Sequence, residues 1–243
     1  MRRHATRHNS AFTLIELSVV ILIITMMMLM AVPAVSKIVA QARRDLSVSI
    51  MHQLEIACHE FKLDVQVNGL YQYPRSSDVD YPTWSGSQLL RLQLTGYAAD
   101  DGDDGLPGKF KSFETLATDD GHNGFGFRLT ERGRVYGPYG GAENMDFGSR
   151  DEHSFFVDAF DHEFYYYRYD PESNDYDDDD NSPRNPQGVV VNVTEYATDP
   201  TTNSYYRIDD FVIFSAGPDG YIEAYDPVDP TASDDVTNVF PEF

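Results

Sequence analysis

The sequence predicts an α+β fold: one long N-terminal α-helix, membrane-spanning in its first half and amphipathic in its second, packed on a C-terminal antiparallel β-sheet. Three observations predict it. Residues 17–35 form a run of 19 without a charge, about the shortest that crosses a hydrocarbon core of roughly 30 Å as a helix. Residues 37–65 contain no Gly or Pro, and Ala42, Leu46, Ile50, Leu54, Cys58, Phe61 and Val65 recur at steps of three or four, one apolar stripe of a helix. From residue 125 onward the pattern changes to short runs of aromatic and β-branched residues, which read as strands.

Composition narrows the function classes. The 243 residues leave, beyond the apolar helix, enough chain for one sizeable domain with its own core. Lys and Arg number 18 against 40 Asp and Glu, a net of -22. Three of those bases, Arg2, Arg3 and Arg7, precede the apolar run, so residues 12–243 carry 15 against 40, a net of -25. Such a surface repels nucleic-acid phosphates and anionic headgroups and gathers cations. Cys58 is the single cysteine, so no internal disulfide is available and stability must come from packing or from a metal. Cys58 itself reads as a small buried hydrophobe on the helix.

Residues 1–11 hold three arginines, two histidines and no acid, the asymmetry that keeps a leader cytoplasmic while the following chain is exported. A secretory signal peptide would place small residues after its apolar run; Ala31-Val32-Pro33-Ala34 approximates such a site, and Pro33 spoils it. Glu16 stands at the lip of the apolar run, where an unpaired carboxylate is expensive enough to mark function by default. Pro33 removes a backbone donor and clashes with the preceding turn, so a kink or local melting is expected there. The plain alternative is a signal anchor whose Glu16 snorkels to the interface.

Ala11-Phe12-Thr13-Leu14-Ile15-Glu16-Leu17, a small residue after a basic leader and before an apolar run, resembles the cleavage signal of type IV pilins and of type II secretion pseudopilins. The resemblance implies that a prepilin peptidase cuts on the cytoplasmic side between Ala11 and Phe12 and methylates the new amino group. Family members mostly carry Gly before the cut, so Ala11 is a departure. Glu16 then falls fifth in the mature chain, where the family keeps its glutamate, and Pro33 falls where many pilins bend their helix. In hydrocarbon the Glu16 carboxylate would pair with the amino terminus of Phe12 on a neighbouring subunit and set the register of a bundle of identical helices. The organisation implied is a pilin-like lollipop: leader 1–11, transmembrane and assembly helix 12–36, and periplasmic globular domain 37–243.

Within that domain the helix is expected over 37–67, with Arg43, Arg44, Gln53, Glu60 and Lys62 opposite the apolar stripe and Asn68-Gly69 ending it. From Phe12 to Val65 it would measure about 80 Å at 1.5 Å per residue. The stretch from Lys62 to Pro74 resembles the KLDNGRYP turn of pseudopilins with two or three residues inserted. A loop-rich insert follows over about 70–124, in which 84–96, bearing Leu89, Leu90, Leu92 and Leu94, is expected to be a second helix packed on the first. Asp100-Asp101-Gly102-Asp103-Asp104-Gly105 fails as an EF-hand loop, because position 12 counted from Asp100 is Lys111; it reads as a solvated loop. In the β region, 125–243, strands are expected at 125–129, 135–136, 155–157, 164–169, 189–196, 211–214 and 221–225. The acidic run 174–181 self-repels and reads as a bulge into solvent, with loose calcium collection as the alternative. Asn192-Val193-Thr194 fits a glycosylation sequon but falls inside an expected strand.

Two C-terminal pieces resemble the major pseudopilin of type II secretion. The piece from Val157 to Tyr166 is similar to the pattern DxWGNPYxY in its aromatic frame and Asp158, with Phe160, Asp161, His162 and Glu163 in place of Trp, Gly, Asn and Pro. The piece from Phe211 to Gly220 is similar to YDLxSxGxDG, and Asp234-Asp235-Val236-Thr237-Asn238 to DDIxN. In the family these pieces bound a loop around one calcium ion, which takes six to eight oxygens at about 2.3 to 2.6 Å. Carried over by position, the ligands implied are Asp219, Asp234, Asp235 and the Ala216 carbonyl, in a structural role. The plainer alternative is an Asp-Gly turn and an acidic tail. His153, Ser154 and His162 lie among acids, but no nucleophile elbow, HExxH or Gly-rich phosphate loop is present, and an enzyme is not expected. The resemblance implies a structural subunit that polymerises with itself and with minor pseudopilins into a periplasmic pseudopilus, on an inner-membrane assembly platform. A type IV pilus subunit for adhesion or uptake is the alternative; a membrane-anchored binding domain or hydrolase sharing the signal is a third.

Overall fold

The computed structural model describes residues 14–67, 70–78, 82–96, 118–119, 125–128, 134–150, 153–223 and 233–239. The chain divides into two compact units, Met1–Ala42 and Arg43–Phe243. Helix α1 (Leu14–Asp64) passes through the boundary and is continuous across Pro33, so the local melting expected there does not occur. In the first unit the described side chains from Leu14 to Leu29 are all exposed. Ser18 Oγ donates to Leu14 O (2.8 Å) and Thr25 Oγ1 to Ile21 O (2.7 Å), which satisfies both hydroxyls within an otherwise apolar stretch. Among the described residues no helix is long and apolar enough to cross a membrane; the side chains of Met30, Ala31, Pro33 and Ala34, which the run 17–35 includes, lie outside them.

In the second unit α1 acquires a buried face of Ser47, Met51, Leu54, Ala57, Cys58 and Phe61, with Val65 just beyond it. The face departs from the expected stripe at its start: Leu46 is 53% exposed and Ala42 is exposed. Counting back from Leu54 at helical spacing leads through Met51 to Ser47, whose hydroxyl accepts from Ala159 N (3.1 Å) and donates to Arg43 O (3.1 Å). The helix ends at Asp64, three residues before the expected 67. Gln66–Val67 (β1) then pairs with Leu70–Tyr71 (β2) across Asn68-Gly69, the spacing that an Asn-Gly hairpin turn favours.

Helix α2 (Gly86–Thr95) confirms the second helix expected at 84–96. Ser85 and Gln88 form a capping box, and Gly96 closes the other end in the left-handed conformation (φ 71°), its N–H donating to Leu92 O. All ten residues are buried, so their polar groups must be bonded internally. Gln93 Nε2 donates to Arg75 O (2.8 Å), Thr95 Oγ1 to Arg91 O (2.7 Å) and Ser87 Oγ to Asn181 Oδ1 (2.8 Å). At Gly86 a Cβ would lie 2.3 Å from Tyr166 O, so only glycine lets α2 start this close to the neighbouring strand.

The remaining elements are β3 (Thr118–Asp119), β4 (Phe127–Arg128), β5 (Val135–Tyr136), β6 (Phe147–Arg150), β7 (His153–Phe156), β8 (Phe164–Arg168), the short helix α3 (Val193–Tyr196), β9 (Thr198–Asp199), β10 (Ser204–Tyr205), β11 (Phe211–Ser215) and β12 (Val236–Thr237). The central antiparallel sheet has the order β12-β11-β8, with Phe214 opposite both Tyr165 and Thr237. Alternate side chains face opposite sides. Phe164, Tyr166, Phe211 and Ile213 join Met51, Leu54, Cys58 and Phe61 of α1 and Leu90, Leu92 and Leu94 of α2 in one core. Tyr167, Val212 and Phe214 join Tyr169, Tyr176, Val193 and Tyr196 in a second core on the opposite face.

That second cover corrects two expectations. Residues 189–196 are not a strand: only Val190 bridges, to Arg184, and 193–196 form α3. The acidic run is a solvated bulge only in part: Asn174, Asp175, Asp177 and Asp179 are exposed, but the rest is tied into the fold. Asp180 and Asn181 are buried, Asn181 Nδ2 donates to Tyr166 O (2.7 Å), and Asp178 accepts from Thr194 N (3.0 Å) and Thr194 Oγ1 (2.9 Å). Asn192 of the sequon is thus the residue before α3. No strand forms over Tyr221–Glu223 either, where a 3-10 turn, Gly217–Asp219, precedes irregular chain. The Asp100–Gly105 segment lies outside the described residues.

Candidate functional site

Two regions carry the expected functional residues. At the N-terminus, Ala11 and Phe12 lie outside the described residues. Glu16 sits exposed in the first turn of α1, where the partial positive charge of a helix N-terminus favours a carboxylate. Pro33 lies within the continuous α1, its side chain outside those described.

At the C-terminal end the two resembling pieces meet. Asp158 is buried; its Oδ1 accepts from Phe160 N (2.8 Å) and His162 N (2.9 Å), and its Oδ2 accepts from Ser215 Oγ (2.5 Å) at the end of β11. His162 Nδ1 lies 2.6 Å from Gly217 O. Asp161, which replaces the glycine of the family pattern, keeps a left-handed φ of 67°, a conformation that Asp tolerates better than most residues.

The turn beyond β11 closes on the segment 233–239. Gly217 has φ 59°, and a Cβ there would lie 2.3 Å from Asp234 O. Asp219 is exposed and accepts from Tyr221 N (2.9 Å). Asp235 is buried, its Oδ2 accepting from Glu223 N (3.0 Å). Asp234 Oδ1 and Asp235 Oδ1 are both buried without a hydrogen-bond partner. Burial raises the Asp234 carboxyl, helped by the charges of Asp219 and Glu223. Burial also pushes Asp235 up to about 7, with Asp234 and Glu223 adding to the effect. The fold therefore brings three of the four expected residues into one electrostatic group and adds Glu223, whose spacing of four from Asp219 was the available signal. Ala216, the fourth, is buried at the start of the 3-10 turn.

Among the described residues no set of three or more His, Cys, Asp or Glu is gathered to hold a metal; residues 224–232 lie outside them. Two buried carboxylate oxygens without partners are nonetheless the hard donors a divalent cation such as calcium takes, with carbonyls completing its shell. Of the histidines and serine that lie among acids, His153 rests against Trp84 with ring centroids 3.9 Å apart, and Ser154 Oγ accepts from Arg91 Nη1.

No curated protein and no solved structure matches the chain. Residues 6–32 match the prokaryotic N-terminal methylation motif, so the chain carries a type IV pilin-like signal, and that signal runs into α1.

Proposed function

We propose that the chain is a structural subunit of a type II secretion pseudopilus: anchored in the inner membrane by residues 17–35, cleaved and methylated at Phe12, and polymerised through its N-terminal helix with copies of itself and minor pseudopilins. The observation that carries this is the methylation motif at 6–32, which opens the same helix, Leu14–Asp64, whose later turns make the core of the second unit. The periplasmic domain is not an enzyme in this reading. Its acids Asp219, Asp234 and Asp235 hold one structural calcium ion together with the Ala216 carbonyl; the ion supplies charge neutralisation to carboxylates that otherwise repel one another. Energy for assembly comes from a cytoplasmic partner. The net of -25 beyond the leader disfavours the alternative of an uptake pilin that touches DNA. Mass spectrometry of the mature protein tests the core of the proposal. An N-methylated Phe12 is expected; a chain beginning at Met1, or beyond Val35, overturns it.

A further inference from the structure

Asp180 is a buried carboxyl at a seam that its neighbours stitch together. One residue on, Asn181 donates from Nδ2 to Tyr166 O of β8 (2.7 Å) and accepts at Oδ1 from Ser87 N (3.2 Å) and Ser87 Oγ (2.8 Å) of α2. Two residues back, Asp178 accepts from Thr194 N (3.0 Å) and Thr194 Oγ1 (2.9 Å) in the first turn of α3. The turn 178–181 therefore fastens α3, and with it the cover of the second core, to β8 and α2. The groups that face the Asp180 carboxyl come from three places. The segment 72–78 brings the hydroxyls of Ser76, buried, and Ser77, exposed; β8 brings Arg168 and Tyr167; its own turn brings Asp177. From α2 and α3 the seam receives Ser87 and Thr194, neither of which titrates. Arg168, the one cation in this set, gives its Nη1 to Gln72 Oε1 (3.1 Å). Among the described residues no salt bridge reaches Asp180, so hydroxyls alone hold it.

A carboxylate buried without a paired cation, and beside the like charge of Asp177, is costly, whereas the neutral acid fits the same space. The charged form regains water if the turn leaves the seam, and a local opening of this kind costs less than unfolding the domain. We propose that the turn 178–181 is a proton-operated catch: with Asp180 protonated it holds α3 and the cover 170–206 over the second core, and when the proton leaves, that cover loosens from the central sheet. Opening uncovers Tyr167, Val212 and Phe214 of the sheet and Tyr196 of α3. The first core, covered on the opposite face by α1 and α2, stays closed. Burial pushes the Asp180 carboxyl up to about 7, so the hold is complete below the unfolded value of about 4 and is lost as pH rises through about 7.

The test is hydrogen exchange of the full-length chain in detergent micelles at pH 5, 6.5 and 8, corrected for the intrinsic pH dependence of exchange. It compares residues 193–197 of the cover with 164–168 and 211–215 of the central strands. In the unsubstituted protein, protection of 193–197 is expected to fall by about ten- to a hundredfold between pH 5 and pH 8, as one to two pH units of linkage allow, while the central strands hold theirs. In Asp180→Asn, which keeps the shape without the titration, protection of 193–197 should stay level. Should that variant fail to fold, Ser77→Ala takes its place. Its position is exposed, and loss of a hydroxyl that favours the charged carboxylate should move the fall to higher pH; an unmoved fall overturns the catch. Level protection in the unsubstituted protein, a fall that persists in Asp180→Asn, or an equal fall in cover and central strands overturns it as well.

Discussion

Asp180 sits in the middle of a run of acids, yet it is only 7% exposed. Burial pushes its carboxyl up to about 7, with Asp177 adding to the effect while the Ser76 and Ser77 hydroxyls and Arg168 oppose it. A folded-state pKa raised above the unfolded value means that the native protein keeps a proton the unfolded chain has lost. Its contribution to stability is therefore greatest below about pH 4, declines as pH rises to about 7, and is flat above. At about 1.4 kcal/mol per pH unit the decline is worth up to about 4 kcal/mol. Asp180→Asn is expected to remove it, so that unfolding free energies from denaturant titrations at pH 4.5 and pH 8 differ less in the variant than in the parent by about 2 to 4 kcal/mol; parallel profiles would show that the carboxyl is ionised in the fold. None of this was visible in the run of acids, because the hydroxyls involved belong to residues about a hundred positions earlier.

At the scale of elements, the segment 170–206 is the clearest case of a cover that local pattern misassigns. Val189, Val190, Val191 and Val193 are β-branched and suggest a strand, but the chain gains more by turning α3 onto the free face of the central sheet. Tyr196 is 4% exposed there, its ring 4.8 Å from that of Phe214. Tyr196→Ala is expected to cost about 3 to 5 kcal/mol, as other large aromatic deletions in cores do; a loss within about 0.5 kcal/mol, typical of surface sites, would show the segment to be an accessory. Helix α2 is the opposite case. Its Ser85 cap, Gln88 and Gly96 stand at the spacing that starts and stops a helix, so its limits were readable within about two residues. Helix α1 lies between: its existence was plain, but the rotation that puts Ser47 inside and Leu46 outside depends on what packs against it.

For the whole molecule, the decisive residue under the proposed function is Glu16. Glu16→Ala should leave the protein membrane-associated and its second unit folded, since that unit's core begins only at Ser47 and Met51, while assembly into fibres is lost. Normal fibres, seen by electron microscopy of cells making the variant, would remove the register role assigned to the carboxylate.

The sequence by itself determined the methylation signal, the long helix, the second helix, the central strands near 164–169 and 211–214, and the acidic character of residues 12–243. Each is a property of contiguous chain: a motif, a period, a composition. Tertiary structure alone decided that both faces of the central sheet are covered, that Asp180 and Asn181 are interior, that Glu223 joins Asp219, Asp234 and Asp235, and that Asn238 meets Glu55. Apart from the four-residue step between Asp219 and Glu223, these depend on residues separated by a dozen to nearly two hundred positions, where no local preference acts and only the burial of the cores and the pairing of otherwise orphaned polar groups selects the arrangement.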